Sequence, residues 1–172
     1  CDFYSVPQTA ERMEQYGTAL CRFLRQMQTD LPVDTIYFGG GTPSLLPVSL
    51  LEEILQTIDK TVSLQQPEIT LECNPATVNR ETLQQFQEIG INRLSIGVQS
   101  LSDVQLKRLG RLHDAQTAIE TVEQAAAAGF QNLSCDVMLA LPKQTTAELQ
   151  GTLTQLTALP IQHISAYLLK VE

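Results

Sequence analysis

The sequence predicts an α/β fold built on a parallel sheet, and three observations carry that prediction. Short strand-like runs alternate with stretches of helical periodicity along the whole chain. Each link between successive strands is long enough to hold a crossover helix, which parallel neighbours require. One strand, at about 35–38, runs directly into Gly39, Gly40 and Gly41, followed by Thr42-Pro43-Ser44. Three glycines allow positive φ and let a ligand reach main-chain groups with no Cβ in the way. A loop of this kind at the carboxyl end of a parallel strand is where α/β proteins bind small molecules. Its spacing matches neither a dinucleotide fingerprint nor a P-loop. On these residues alone, a tight turn with no ligand is an equal reading.

Residues 1–8 read as a loop containing Pro7. A helix follows over about 9–28, with Met13, Tyr16, Leu20, Phe23, Leu24 and Met27 recurring on one face. Cys21, on the edge of that face, reads as a small buried hydrophobe. After the glycine loop, Ser49-x-x-Glu52 is a capping-box pattern opening a helix to about residue 60, with Leu50, Leu51, Ile54, Leu55 and Ile58 inward. Residues 68–73 form the next strand, broken by Asn74-Pro75. Asn79 caps a helix that stops at Gly90. Residues 92–99 are a strand, 102–109 a short helix ending at Gly110. Asp114 caps a longer helix through the alanine run to Gly129. A strand at 132–139, a helix at 145–156 opened by the capping box Thr145-x-x-Glu148, and a strand at 163–168 complete five strands and five or six helices.

Composition narrows the function. The chain has 172 residues and a net charge of −8, which argues against a nucleic-acid surface. No apolar run is long enough to span a membrane, and the expected location is cytoplasmic. Cys1, Cys21, Cys73 and Cys135 are scattered without a C-x-x-C pair, so neither a zinc site of usual spacing nor a disulfide framework is expected. The chain opens on a cysteine and stops within a strand, so both ends read as cut.

Strand alternation separates two faces. Ile36 and Phe38, Ile69, Leu71 and Cys73, Leu94, Ile96 and Val98, Leu133, Cys135 and Val137, and Ile164, Ala166 and Leu168 share the aliphatic one. Thr35 and Tyr37, Thr70 and Glu72, Ser95, Gly97 and Gln99, Ser134 and Asp136, and Ser165 and Tyr167 share the other. The aliphatic side belongs under the helices, with Cys73 and Cys135 as core residues. A curved sheet then brings Glu72, Gln99 and Asp136 together on a polar inner wall. Burying such groups dry and unpaired costs about 2–7 kcal/mol each, so a ligand, water or mutual hydrogen bonds must satisfy them.

These residues also carry a resemblance. Cys1-Asp2-Phe3-Tyr4-Ser5, the glycine loop, Leu71-Glu72-Cys73-Asn74-Pro75 and the run from Asn92 through Gly97-Val98-Gln99-Ser100 resemble, in order and spacing, one family. So do Leu109-Gly110-Arg111-Leu112-His113, Asp136 with Leu141-Pro142-Lys143-Gln144-Thr145, and His163-Ile164-Ser165-Ala166-Tyr167. The family is the radical S-adenosylmethionine (SAM) domain of the oxygen-independent coproporphyrinogen III oxidase-like proteins. The resemblance implies a partial (β/α)6 TIM-like barrel. The five strands here would be its second to sixth, the first lying upstream, so that 1–172 is a truncated radical SAM core.

It further implies a [4Fe–4S] cluster held by a C-x3-C-x2-C motif, whose third cysteine Cys1 matches. It implies SAM, cleaved to a 5′-deoxyadenosyl radical, with Gly40, Gly41, Thr42, Glu72, Gln99, Arg111 and Asp136 at the SAM-contacting positions. Without the resemblance, Arg111 reads as a solvated helix-end charge. His113 and His163 read as satisfied or exposed histidines rather than haem ligands.

Two branches of the family compete. The oxidase branch carries a further cysteine two residues after the third cluster cysteine, where this chain has Phe3. The string Cys-Asp-Phe-Tyr-Ser is similar to the haem chaperone branch, which implies haem or a porphyrin, haem acceptor proteins and an electron donor as partners. The haem motif proposed for that branch lies beyond residue 172. The alternatives are the oxidase itself, an inactive fragment that cannot hold the cluster, or another radical SAM enzyme such as one modifying tRNA.

Overall fold

A computed structural model describes residues 9–27, 29 and 31–169. Five strands, β1 (Val33–Phe38), β2 (Leu64–Cys73), β3 (Arg93–Gln99), β4 (Asn132–Leu139) and β5 (His163–Leu168), form one sheet in sequential order. All four pairings are parallel. The helices are α1 (Ala10–Leu24), α2 (Val48–Asp59), α3 (Arg80–Glu88), α4 (Asp103–Arg108), α5 (Ala115–Ala127) and α6 (Thr146–Thr157). Crossovers of one hand between strands in unbroken order put every helix on the same face. The sheet therefore bends into a half-barrel with helices outside and a bare concave wall.

The expected division of faces holds in the register. Glu72 pairs with Ser95, Ser95 with Ser134 and Asp136 with Ser165, all on the wall. Leu71, Leu94, Ile96, Val98, Leu133 and Val137 are buried on the opposite face, against Leu51, Phe86, Val122 and Leu156 of the helices. Cys73 and Cys135 lie in this core as expected. Burial pushes both thiols up to about 12, a condition in which neither is a nucleophile or ligand.

Two side-chain clamps fix the register where strands begin. Asn92 takes the Ile69 N–H on its Oδ1 at 2.8 Å and gives its own N–H to the Ile69 carbonyl at 3.1 Å. Its Nδ2 donates to the Pro67 carbonyl at 2.9 Å. Gln162 does the same for β4, accepting from Leu133 N–H at 2.8 Å and donating to the Leu133 carbonyl at 3.0 Å. A slip of one residue would turn every wall residue into the core, so these clamps guard the fold's division of labour.

Three expectations are corrected. The apolar stripe of α1 is only in part its inner side: Met13, Leu20 and Leu24 are half-buried and Cys21 is buried as expected, but Tyr16, Phe23 and Met27 are exposed and Gly17 is buried in their stead. The helix lies so close to α2 that a Cβ on Gly17 would collide with Leu50, and only small residues fit that contact. Ser49 does not cap α2. The helix starts one residue earlier, at Val48, because the Pro47 carbonyl already accepts from Leu50 N–H at 2.9 Å and its fixed φ sets the entry. β2 begins at Leu64, before the expected strand, through an irregular register around Val33 and Thr35. The caps at Asn79, Asp114 and Thr145 form as expected.

Two substitutions test this account by urea unfolding. Asn92→Ala strands the Ile69 N–H and lowers stability by about 1–3 kcal/mol. Ser49→Ala, which removes no cap, stays within about 0.5 kcal/mol of the parent chain.

Candidate functional site

The concave wall has two ends of different character. At the amino end, Arg93 Nη1 donates to Thr70 Oγ1 at 3.2 Å, Arg93 Nε lies 3.8 Å from Glu68 Oε1, and Asn132 Nδ2 donates to Glu68 Oε2 at 3.1 Å. These groups satisfy one another across three strands and form a polar plug. The carboxyl end is where the glycine loop and the expected site residues gather.

Glu72 ties that loop to the sheet. Its Oε1 accepts from Tyr37 Oη at 2.8 Å and its Oε2 from the Gly40 N–H at 3.1 Å. Gly40 and Gly41 have φ of +85° and +55°, and nothing lies within 4 Å of where their Cβ atoms would be. Glycine is needed there for backbone conformation, and the open space leaves main-chain groups accessible. Thr42 begins the turn Pro43–Leu45 without spending its hydroxyl on a cap. Ser44 then bonds Thr77 Oγ1 at 2.7 Å and takes the Asn74 N–H at 3.4 Å, which joins the loops after β1 and β2.

Gln99 ends β3 with φ +67°, in a register break against β4. The Ser100 N–H closes on the Val98 carbonyl at 2.8 Å, a γ-turn centred on Gln99. The turn folds the Gln99 amide back over Gly97: Nε2 sits 3.1 Å from the position a Gly97 Cβ would take. Arg111 Nη2 comes within 3.8 Å of the same position. Arg111 is therefore half-buried over the wall, contrary to the reading of a solvated helix-end charge. Burial lowers its pKa, and the charge of Asp136 opposes that shift.

Asp136 lies on the neighbouring strand and accepts from Ser95 Oγ at 3.0 Å. Burial raises its pKa and Glu72 raises it further, while the Ser95 and Ser165 hydroxyls and Arg93 pull it down. The structure thus brings Gly40, Gly41, Thr42, Glu72, Gln99, Arg111 and Asp136 to one end of one wall. Cys1 lies outside the described residues.

Sequence reasoning named Tyr37, Ser95 and Ser165 as wall residues but gave them no role. Tyr37 orients Glu72, and its phenol is pushed up to about 12 by burial and by that carboxylate. Its signal was its place on the polar face one residue pair before the glycines. Both histidines make contacts within the protein: His113 is buried with Nε2 against the Val98 carbonyl, its Nδ1 left without a partner among the described residues, and His163 Nδ1 meets Ser134 Oγ at 2.9 Å.

An apolar cleft of about 440 Å³ opens elsewhere, beside the unpaired edge of β1, lined by Leu20, Leu24, Ile36, Phe38, Leu46 and Ile54 among others. It touches the glycine loop but not Gln99, Arg111 or Asp136.

A half-barrel with a glycine loop, two carboxylates, an amide and a guanidinium at the carboxyl end of its strands has the lining that a polar small molecule would need. The comparisons sharpen that class. The family model of the radical SAM superfamily matches residues 5–156, and the chain belongs to that superfamily. Among curated relatives, the heme chaperone HemW of Escherichia coli is 41% identical over 141 residues, 81% of this chain and 37% of that protein. HemW of Lactococcus lactis is 32% identical over the whole of this chain and 45% of its own length. The chain thus spans less than half of these relatives. Coproporphyrinogen III oxidase (HemN) from Escherichia coli, described as a radical SAM enzyme, superposes with a TM-score of 0.87 at 24% identity, covering 98% of this chain and 40% of that one. That likeness shows the fold.

Radical SAM proteins as a class use a [4Fe–4S] cluster and SAM. The wall's groups fit the second: a ligand with an ammonium, a carboxylate and sugar hydroxyls meets carboxylates, a guanidinium and open main chain. For the cluster, Cys21, Cys73 and Cys135 are free but buried, and do not fit as ligands. Among the described residues no group of three or more His, Cys, Asp or Glu side chains could hold a metal ion. No described helix is long and apolar enough to cross a membrane.

Because the fold favours the protonated form of Asp136, its charge destabilises the folded chain above the folded pKa and costs nothing well below the unfolded one. Asp136→Asn, which keeps an acceptor for Ser95, raises the urea midpoint at about pH 7. The gain shrinks as the pH falls to about 4 and below, where the wild-type carboxyl is itself protonated.

Proposed function

We propose that this chain is the SAM-binding part of a radical SAM protein of tetrapyrrole handling, and of the haem chaperone kind. The observation that carries it is the meeting of Glu72, Gln99, Arg111 and Asp136 with the glycine loop at one end of the wall. In this reading the chain contributes strands two to six of a six-stranded partial barrel. Cys1 is one of three cluster ligands, the other two lying upstream.

The chemistry of each group suggests its task. Main-chain carbonyls at Gly40 and Gly41, beside Thr42 and the Glu72 carboxylate, suit the ammonium of SAM. Arg111 suits its carboxylate, with the Gln99 amide beside it. Asp136, held by Ser95, suits ribose hydroxyls. When bound, the cluster and SAM together supply one-electron chemistry at a carbon–sulfur bond. What the residues themselves do is orient the ligand, neutralise its two charged ends and keep a low-dielectric wall behind it.

The chaperone reading draws support from the relatives: heme chaperones named HemW are among those at 32–41% identity, beside mitochondrial radical SAM domain-containing proteins, whereas the oxidase likeness rests on fold alone. Phe3, where the oxidase branch carries another cysteine, points the same way. Haem, haem acceptor proteins and an electron donor are the partners this reading requires, in the cytoplasm.

The test uses the complete protein, reconstituted anaerobically with iron and sulfide. It binds SAM by equilibrium dialysis, and Glu72→Ala or Asp136→Ala weakens binding about 10- to 100-fold, the loss expected for one or two hydrogen bonds to a charged group. Haem loaded on the protein passes to an acceptor, and coproporphyrinogen III is not decarboxylated. Robust decarboxylation would replace the chaperone reading with the oxidase one. Unchanged SAM affinity in both variants would end the site assignment.

A further inference from the structure

His113 is the buried titratable group for which the site reading provides no role. Only 5% of it is exposed. Its Nε2 lies 3.2 Å from the Val98 carbonyl oxygen. A carbonyl only accepts, so Nε2 carries the proton and Nδ1 has a lone pair. Nδ1 is buried without a hydrogen-bond partner among the described residues. A second proton on the ring would thus be enclosed with no acceptor. Burial and the Arg111 charge lower the imidazole's pKa, against the Val98 bond and Asp114, which raise it. The ring is a neutral donor.

The oxygen it reaches is not an ordinary one. The Val98 carbonyl already accepts the Ser100 N–H at 2.8 Å, the bond that closes the γ-turn on Gln99. A φ of +67° is costly for a residue that is not glycine, and such a turn persists only where its surroundings over-determine it. His113 is the second donor on that oxygen, and it comes from the far end of the loop between α4 and α5. Between the two sits Arg111. Leu112 is 90% exposed, whereas Arg111 is half-buried and His113 buried. One imidazole thereby ties the strand end that aims Gln99 to the loop that aims Arg111, and both meet over Gly97.

We infer that His113 is a positioning residue for ligand binding: through the Val98 carbonyl it holds Gln99 and Arg111 in their ligand-facing geometry. This rests on the preceding reading of the wall as a SAM site. The alternative is a buried histidine that merely fills space.

The two differ in which substitution rescues. His113→Gln offers an amide N–H at similar reach, and His113→Phe keeps the ring shape without the donor. In the complete, reconstituted protein, His113→Phe is expected to lose about tenfold or more in SAM affinity, and His113→Gln to stay within about threefold of wild type. Hydrogen exchange at the Ser100 amide is expected to quicken in the Phe variant and not in the Gln variant. In an Arg111→Ala background, His113→Phe is expected to cost a smaller factor than it does in the wild type, because part of its effect passes through that side chain and the rest through Gln99.

Full affinity in His113→Phe overturns the inference and leaves the site reading intact. So does equal loss in both variants with matching falls in Tm, or full additivity with Arg111→Ala. A wild-type protein that binds no SAM overturns the site reading and this inference with it.

Discussion

Among the described residues, five parallel strands in unbroken order have one face covered by helices and one face left bare. Everything else follows from that asymmetry. Side chains two apart along a strand must suit water or a polar ligand, and their neighbours must suit a hydrocarbon core. The chain meets both demands in every strand, with Leu71 beside Glu72, Ile96 beside Ser95 and Cys135 beside Asp136. An alternating pattern is unusual for parallel strands, which are commonly buried on both faces. Here it marks a wall that is meant to be met from inside the curve.

The wall is then divided along its length. At the amino end Glu68, Arg93, Thr70 and Asn132 spend their hydrogen bonds on one another. At the carboxyl end the backbone itself is bent out of ordinary geometry, at Gly40 and Gly41 with glycines and at Gln99 without one. The two devices differ in kind. Glycine removes the steric objection to positive φ, so Glu72 needs only to tether the loop through one N–H. Gln99 keeps its side chain because that side chain is used over Gly97, and the turn must be held by added donors instead. Strain placed next to a ligand face is tolerable only where the surrounding framework is stiff, and the buried strands β3 and β4 supply that stiffness.

The architecture was readable from the sequence because it is set by period and punctuation. Alternation, caps at Asn79, Asp114 and Thr145, and glycine stops at Gly90 and Gly129 all act locally. Errors arose where a distant contact overrode the local signal. Tyr16 and Phe23 have the right spacing for a buried stripe, yet both are exposed, and Gly17 is the position packed against the Leu50 side chain of α2. Ser49 has the right neighbours for a cap, yet Pro47 had already started the helix. Alternation brought Glu72, Gln99 and Asp136 to one wall without any resemblance. Arg111 it could not reach: a loop residue has no period, and only the fold shows that the loop after α4 leans back over Gly97.

The charges on the wall bear on the proposed ligand. Glu72 and Asp136 stand near enough that the first raises the pKa of the second, and burial raises it further. Burial disfavours the Arg111 charge, and the charge of Asp136 opposes that effect. Left alone, such an arrangement opposes folding, since two carboxylates share a low-dielectric wall, Arg93 offsets this only in part, and burial disfavours the Arg111 charge. A ligand that brings a positive centre to the carboxylates and a carboxylate to the guanidinium relieves both at once. The sites where this chain works against its own stability are therefore the sites that read as a complement to a zwitterionic nucleotide. The same residues in an empty structural role would be better replaced by neutral ones.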